Sequence, residues 1–154
     1  MASHIYPIPQ GESLATGYSV LIDGKPAPLR QMRVSAAPIN RRWPGHQREI
    51  AQSELAGFVS FSMEGSAHFT VDVEKDFEEA VIRPLSKGVK LARQGRRLSF
   101  TLTEPGGYTL ELDGPHHALH ILADPPEQDA VRPEDPDVIY FGPGVHECGV
   151  ITLT

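Results

Sequence analysis

The residues best suited to chemistry lie in one short stretch, Asn40-Arg-Arg-Trp-Pro-Gly-His-Gln-Arg48. It holds the only tryptophan of the chain with three arginines, a histidine and a glutamine. A tryptophan face stacks on the apolar face of a sugar ring. Flanking Arg and Gln bond its hydroxyls or grip a uronic carboxylate through a bidentate guanidinium. Arg41, Arg42, Trp43, His46 and Arg48 are therefore the candidate carbohydrate-contacting set. The same residue types also anchor interfaces between domains. On that reading Trp43 packs against the fold or a neighbouring domain while Arg41, Arg42 and Arg48 pair across the contact.

A second cluster is His116, His117 and His120. On a helix, His116 and His120 would have metal-ligand spacing, but the segment reads as a strand. There, four residues span about 13 Å, too far for one zinc without other ligands. Capping and hydrogen-bonding histidines at a turn are the alternative, and no metal is expected. The basic run from Arg83 to Arg97 would attract acidic polysaccharide, or serve as a solvated strand edge that blocks edge-to-edge pairing. Ser86-Lys87 is not a nucleophile and base, because nothing orients the pair. Asp72 and Glu74, Glu78 and Glu79, and Glu134, Asp135 and Asp137 supply carboxylates. A glycosidase needs two across a cleft with one pKa raised by burial, and these positions read as exposed or linker. Cys148 has no partner motif and is expected as a small buried apolar residue. No cofactor motif is present, and none is expected.

These side chains need strands to hold them. Fourteen Gly and fourteen Pro leave no room for a long amphipathic helix, and the intervals alternate in polarity. Tyr18, Val20 and Ile22 share a face and end in Asp23-Gly24, a two-residue hairpin signal with Gln31 to Ala36 as the expected partner. Val59, Phe61 and Met63 are expected to form a hairpin with Phe69, Val71 and Val73 across Glu64-Gly65. Ala80 to Pro84 reads as a strand. Leu98, Phe100 and Leu102 are expected to pair with Tyr108, Leu110 and Leu112 across Glu104-Pro-Gly-Gly107, and Asp113-Gly114 turns into Ala118 to Ala123. Gln47 to Ala56 is the one helical candidate, of one or two turns. The expected fold is all-β: an antiparallel two-sheet sandwich, immunoglobulin-like or jelly-roll-like, with little or no helix.

The sandwich is expected over residues 1–123 and a Pro- and acid-rich linker over 124–137. Residues 138–154 read as the opening of a further β architecture or an added edge strand. Residues 1–103 carry 13 Lys+Arg against 10 Asp+Glu and residues 104–154 carry 1 against 10, for a net charge of −6. Nucleic-acid binders cluster basic charge, so nucleic acid is not an expected partner. No apolar run approaches the roughly 20 residues of a membrane span, so no membrane is expected either. One cysteine excludes an internal disulfide, and the N-terminus shows no signal-peptide pattern.

The C-terminal segment, Asp137-Val-Ile-Tyr-Phe-Gly-Pro-Gly-Val-His-Glu-Cys-Gly-Val-Ile-Thr-Leu-Thr154, resembles the entry into the right-handed parallel β-helix of polysaccharide-cleaving enzymes. These are the polygalacturonase-like (glycoside hydrolase family 28) and dextranase-like (family 49) enzymes. Asn40 to Arg48, Val81-Ile-Arg-Pro-Leu-Ser-Lys-Gly88 and Leu112-Asp-Gly-Pro-His-His-Ala-Leu-His-Ile121 resemble the non-catalytic sandwich that precedes that β-helix. The resemblance implies a parent O-glycosyl hydrolase acting on polysaccharide, extracellular or periplasmic, with its catalytic acids on later coils. No position here matches those acids, so this chain by itself is not expected to be an enzyme. The implied partners are polysaccharide, a C-terminal β-helix catalytic domain, or both, with a homodimer through the unfinished C-terminal strand as a further expectation. A stand-alone carbohydrate-binding module using the Trp43 loop is the alternative.

Overall fold

The computed structural model describes residues 3–34, 53–128, 132–142, 144 and 146–152. Eleven strands form two sheets: β1 (Ser3–Ile5), β2 (Tyr18–Ile22), β3 (Lys25–Ala27), β4 (Arg30–Val34), β5 (Glu54–Met63), β6 (Ala67–Val73), β7 (Ala80–Arg83), β8 (Leu91–Gln94), β9 (Arg97–Leu102), β10 (Gly106–Leu112) and β11 (Leu119–Asp124). One sheet runs β1-β5-β11-β10-β7, with β4 also on β5; the other runs β3-β2-β6-β9-β8. The expected all-β sandwich is what forms, and among the described residues the helical content is the single 3-10 turn Leu85–Lys87.

Alternation explains the two inner faces. In β6 the odd residues Ala67, Phe69, Val71 and Val73 are buried while His68 is exposed and Thr70 and Asp72 are half-buried. The opposite sheet answers with Val59, Phe61 and Met63 from β5, Leu110 from β10 and Leu119 and Ile121 from β11. The aromatic centre ties the layers. Phe69 stacks on Phe100 within one sheet, with centroids 4.9 Å apart, and meets Phe61 of the other sheet edge-on at 5.5 Å. Rings at such offsets add about 0.5–1.5 kcal/mol beyond the area they bury. No buried side-chain nitrogen or oxygen among the described residues lacks a hydrogen-bond partner.

Pairing departs from the sequence expectation in four places. Val59–Met63 and Ala67–Val73 do not form a hairpin: β5 pairs with β1, β4 and β11, while β6 pairs with β2 and β9. The Glu64-Gly65 corner carries the chain from one sheet to the other. Likewise, Leu98–Leu102 faces Tyr108–Leu112 across the core instead of bonding to it, since β9 lies between β6 and β8 and β10 between β11 and β7. A corner between sheets and a hairpin bury the same side chains, so alternation alone does not separate them. The partner of β2 is β3, because the two-residue Asp23-Gly24 turn, with φ of 50° and 76°, forces Ile22 opposite Lys25. Arg30 to Val34 instead joins β5. Finally, Glu54–Ala56 of the expected helical turn opens β5; residues 47–52 lie outside the described residues.

One pair is parallel: β11 runs with β5, Leu119 beside Gly57 through Asp124 beside Ser62. This places the turn before β11 next to the start of β5, an adjacency on which the site below depends. After Asp124 the described residues carry no strand. Val138–Phe141 and Gly149–Leu153 read as strands in the sequence, and their described residues, through Thr152, have no ladder partner. Cys148 is exposed, contrary to expectation; it sits among residues that nothing covers.

Candidate functional site

The five residues Arg41, Arg42, Trp43, His46 and Arg48 lie outside the described residues. Their anchorage is within them. Val34, the last residue of β4, stands opposite Glu54, the first of β5. The described residues that bracket the 35–52 segment are therefore neighbours.

Beside Glu54 a cleft of about 450 Å³ opens at the end of the sandwich. Four segments far apart in sequence build most of it, Ala15–Tyr18, Leu55–Gly57, Val73–Phe77 and Leu112–His117, and Gln31 of β4 completes the lining. Its base is apolar, with Ala56, Gly57, Val73 and Phe77 buried. The rim is polar and exposed at Glu74, Lys75, Asp76, His116 and His117.

The rim is pinned from several sides. The Glu54 carboxylate accepts His116 Nδ1–H at 2.8 Å and the His117 backbone N–H at 3.3 Å. His117 Nδ1 lies 3.0 Å from the Leu55 carbonyl. A carbonyl only accepts, so Nδ1 of His117 carries a proton and donates it. The Tyr18 hydroxyl donates to the His117 carbonyl at 2.9 Å. His117 itself has φ of 54°, a left-handed backbone costly for a residue with a side chain and held here by these three contacts.

The facing wall is fixed as firmly. Arg93 donates to the carbonyls of Phe77 at 2.6 Å and Glu78 at 2.7 Å while its guanidinium lies 4.0 Å over the Phe77 ring. Arg96 donates to the Glu74 carbonyl at 2.8 Å, and Glu74 N–H to the Gly17 carbonyl at 3.0 Å. The Asp113 carboxylate accepts the N–H of Glu78 and Glu79.

Three carboxyls of the sandwich are held acidic. The hydrogen bond from His116 holds the Glu54 carboxyl below its usual range. The Arg97 fork does the same to Asp72, with bonds of 2.8 and 3.0 Å, and the His68 backbone N–H does so to Asp23. A glycosidase acid needs the opposite shift. Burial raises the Tyr18 phenol and depresses the His120 imidazole.

The other candidates separate. His116 and His117 sit together on the rim, whereas His120 lies within β11 beside Thr109 and Phe58. Among the described residues no group of three or more His, Cys, Asp or Glu could hold a metal ion. The basic run is largely spent on structure: Arg83 pairs with Glu111, Lys87 with Glu104, and Arg97 with Asp72. The cleft was not foreseen, since its walls come from four distant segments. The nearest signal was the histidine pair following Asp113-Gly114.

No family model matches the chain, and no curated protein sequence matches it. Among solved structures it is similar to Dex49A from Penicillium minioluteum, with a TM-score of 0.50 and 11% identity. The alignment covers 82% of this chain and 32% of that one. The likeness is one of fold, and the chain spans about a third of the length of Dex49A.

Proposed function

We propose that this chain is the non-catalytic N-terminal β-sandwich module of a polysaccharide-degrading glycoside hydrolase, polygalacturonase-like or dextranase-like, that packs on a β-helix catalytic domain. The observation behind the reading is the proportion of the structural likeness: most of this chain against about a third of Dex49A, as for one module of a larger enzyme. The four sequence segments that resemble such enzymes point the same way. The packing face has candidates in the segment after the sandwich, where Ile139, Tyr140, Phe141, Val150 and Ile151 are exposed. Large apolar side chains left exposed are what such a packing face would use. Secretion to an extracellular or periplasmic setting belongs to the same reading. No helix among the described residues is long and apolar enough to cross a membrane.

A second reading draws on Glu54, which pairs with Val34 across the ends of the 35–52 segment and bonds His116 on the cleft rim. In it the chain binds carbohydrate on its own, through Trp43 with Arg41, Arg42, His46 and Arg48. One experiment addresses both. The purified chain and its Trp43→Ala variant are assayed for reducing-end release from dextran and polygalacturonate and for retention on a glycan array. The module reading expects no release and no Trp43-dependent retention. Retention lost in Trp43→Ala would favour the second reading, and sugar release by the pure chain would overturn both.

A further inference from the structure

The cleft has features that a mere seam between loops would not need. Its volume of about 450 Å³ falls in the range of ligand sites, about 300–1,000 Å³. Its walls are held by hydrogen bonds in place before any ligand arrives, which lowers the ordering cost of binding. Its base is apolar, and its rim carries acceptors in the Glu74 and Asp76 carboxylates, with the His116 and His117 imidazoles beside them.

An apolar base under a ring of acceptors suits a ligand with one apolar face and hydroxyl donors around its edge. It does not suit an anion. Among the lining side chains, Glu74, Asp76 and Asp113 outnumber Lys75. The guanidiniums nearby are already engaged, Arg93 on the Phe77 and Glu78 carbonyls and Arg96 on the Glu74 carbonyl and, at 4.0 Å, the Asp76 carboxylate. A uronic acid would therefore meet like charge with no fork to receive it.

We propose that this end cleft, between Tyr18, His116 and His117 on one side and Glu74–Phe77 on the other, binds a neutral glycosyl unit. The choice of a sugar rests on the module reading above; the choice of a neutral one rests on the rim.

The test is an amide-resolved NMR titration of the full chain with isomaltotriose and, in parallel, with trigalacturonate. The expected result is saturable shifts at Gly17, Asp76 and His117 with isomaltotriose, and weaker or absent ones with trigalacturonate. His117→Asn keeps a residue that tolerates positive φ while removing the imidazole. It should weaken binding about tenfold, as for one hydrogen bond lost in a closed site. Thr16→Trp fills the cleft from an exposed wall and should abolish the shifts, which keeps the test decisive if His117→Asn fails to fold. Three results would overturn the proposal: no saturable shift with either sugar, tighter binding of trigalacturonate, or shifts that survive Thr16→Trp but vanish in Trp43→Ala. The last would assign binding to the 40–48 loop. Failure of the module reading is seen separately, in the size of the native protein, and leaves this titration unaffected.

Discussion

The sandwich and the segment that follows it are built from the same apolar residue types and treat them in opposite ways. Phe61, Phe69, Ile22 and Val71 have no accessible surface, because two alternating faces close on each other. Ile139 is 56% exposed, Phe141 46% and Val150 98%, because the chain around them has neither a ladder nor an opposing face. The first region satisfies itself. The second leaves its apolar side chains exposed, and the proposed packing on a catalytic domain rests on that contrast.

The sharpest way to break that contrast is to weaken the core. Phe69→Ala removes a ring stacked on Phe100 and abutting Phe61, and should cost about 3–5 kcal/mol in denaturant unfolding. A loss of under 1 kcal/mol would mean that the layers are not closed as described. Next is Gly57→Val at the cleft base, where even a bare Cβ would stand 3.2 Å from the Ala15 Cβ. Overpacking of this kind costs about 1–3 kcal/mol, read as a lower thermal midpoint.

Acid should act on the sandwich through Asp23, Glu54 and Asp72. Their carboxyls are held below the usual range by the His68 N–H, His116 and Arg97 respectively. Such groups stabilise the fold above their unfolded pKa and lose that contribution as pH falls through the folded value. Stability should therefore decline as pH drops below the ordinary carboxylate range, and Asp23→Asn should flatten part of the decline. His120 adds in the same sense but at higher pH. Burial lowers it from 6.5, so its contribution is complete above that value and is lost on acidification. Least of all, Ile139→Ser with Phe141→Ser should move the unfolding midpoint by no more than about 0.5 kcal/mol, the usual scale for surface changes. A larger loss would show that the tail belongs to the fold.

How far these regions were legible in the sequence follows from what alternation encodes. Val59, Phe61 and Met63, and Phe69, Val71 and Val73, announce their buried faces, and Asp23-Gly24 announces its turn. Neither the Glu64-Gly65 corner nor the 103–105 link announces that it crosses between sheets, because both outcomes bury the same residues. The cleft was less legible still. His117 reaches Leu55, and Glu74 reaches Gly17, only once β11 lies parallel to β5 and the two sheets close. No local pattern carries that information. The Trp43 set was read from residue type alone and lies outside the described residues.

The central claim is that this sandwich serves as one module of a larger polysaccharide-cleaving enzyme. It is tested most directly by isolating the protein from its source with an antibody raised against residues 3–124 and measuring its intact mass together with glycan-cleaving activity. The account expects a chain far heavier than 154 residues, with hydrolysis of dextran or polygalacturonate co-purifying. A free chain of 154 residues with no associated hydrolase would contradict it.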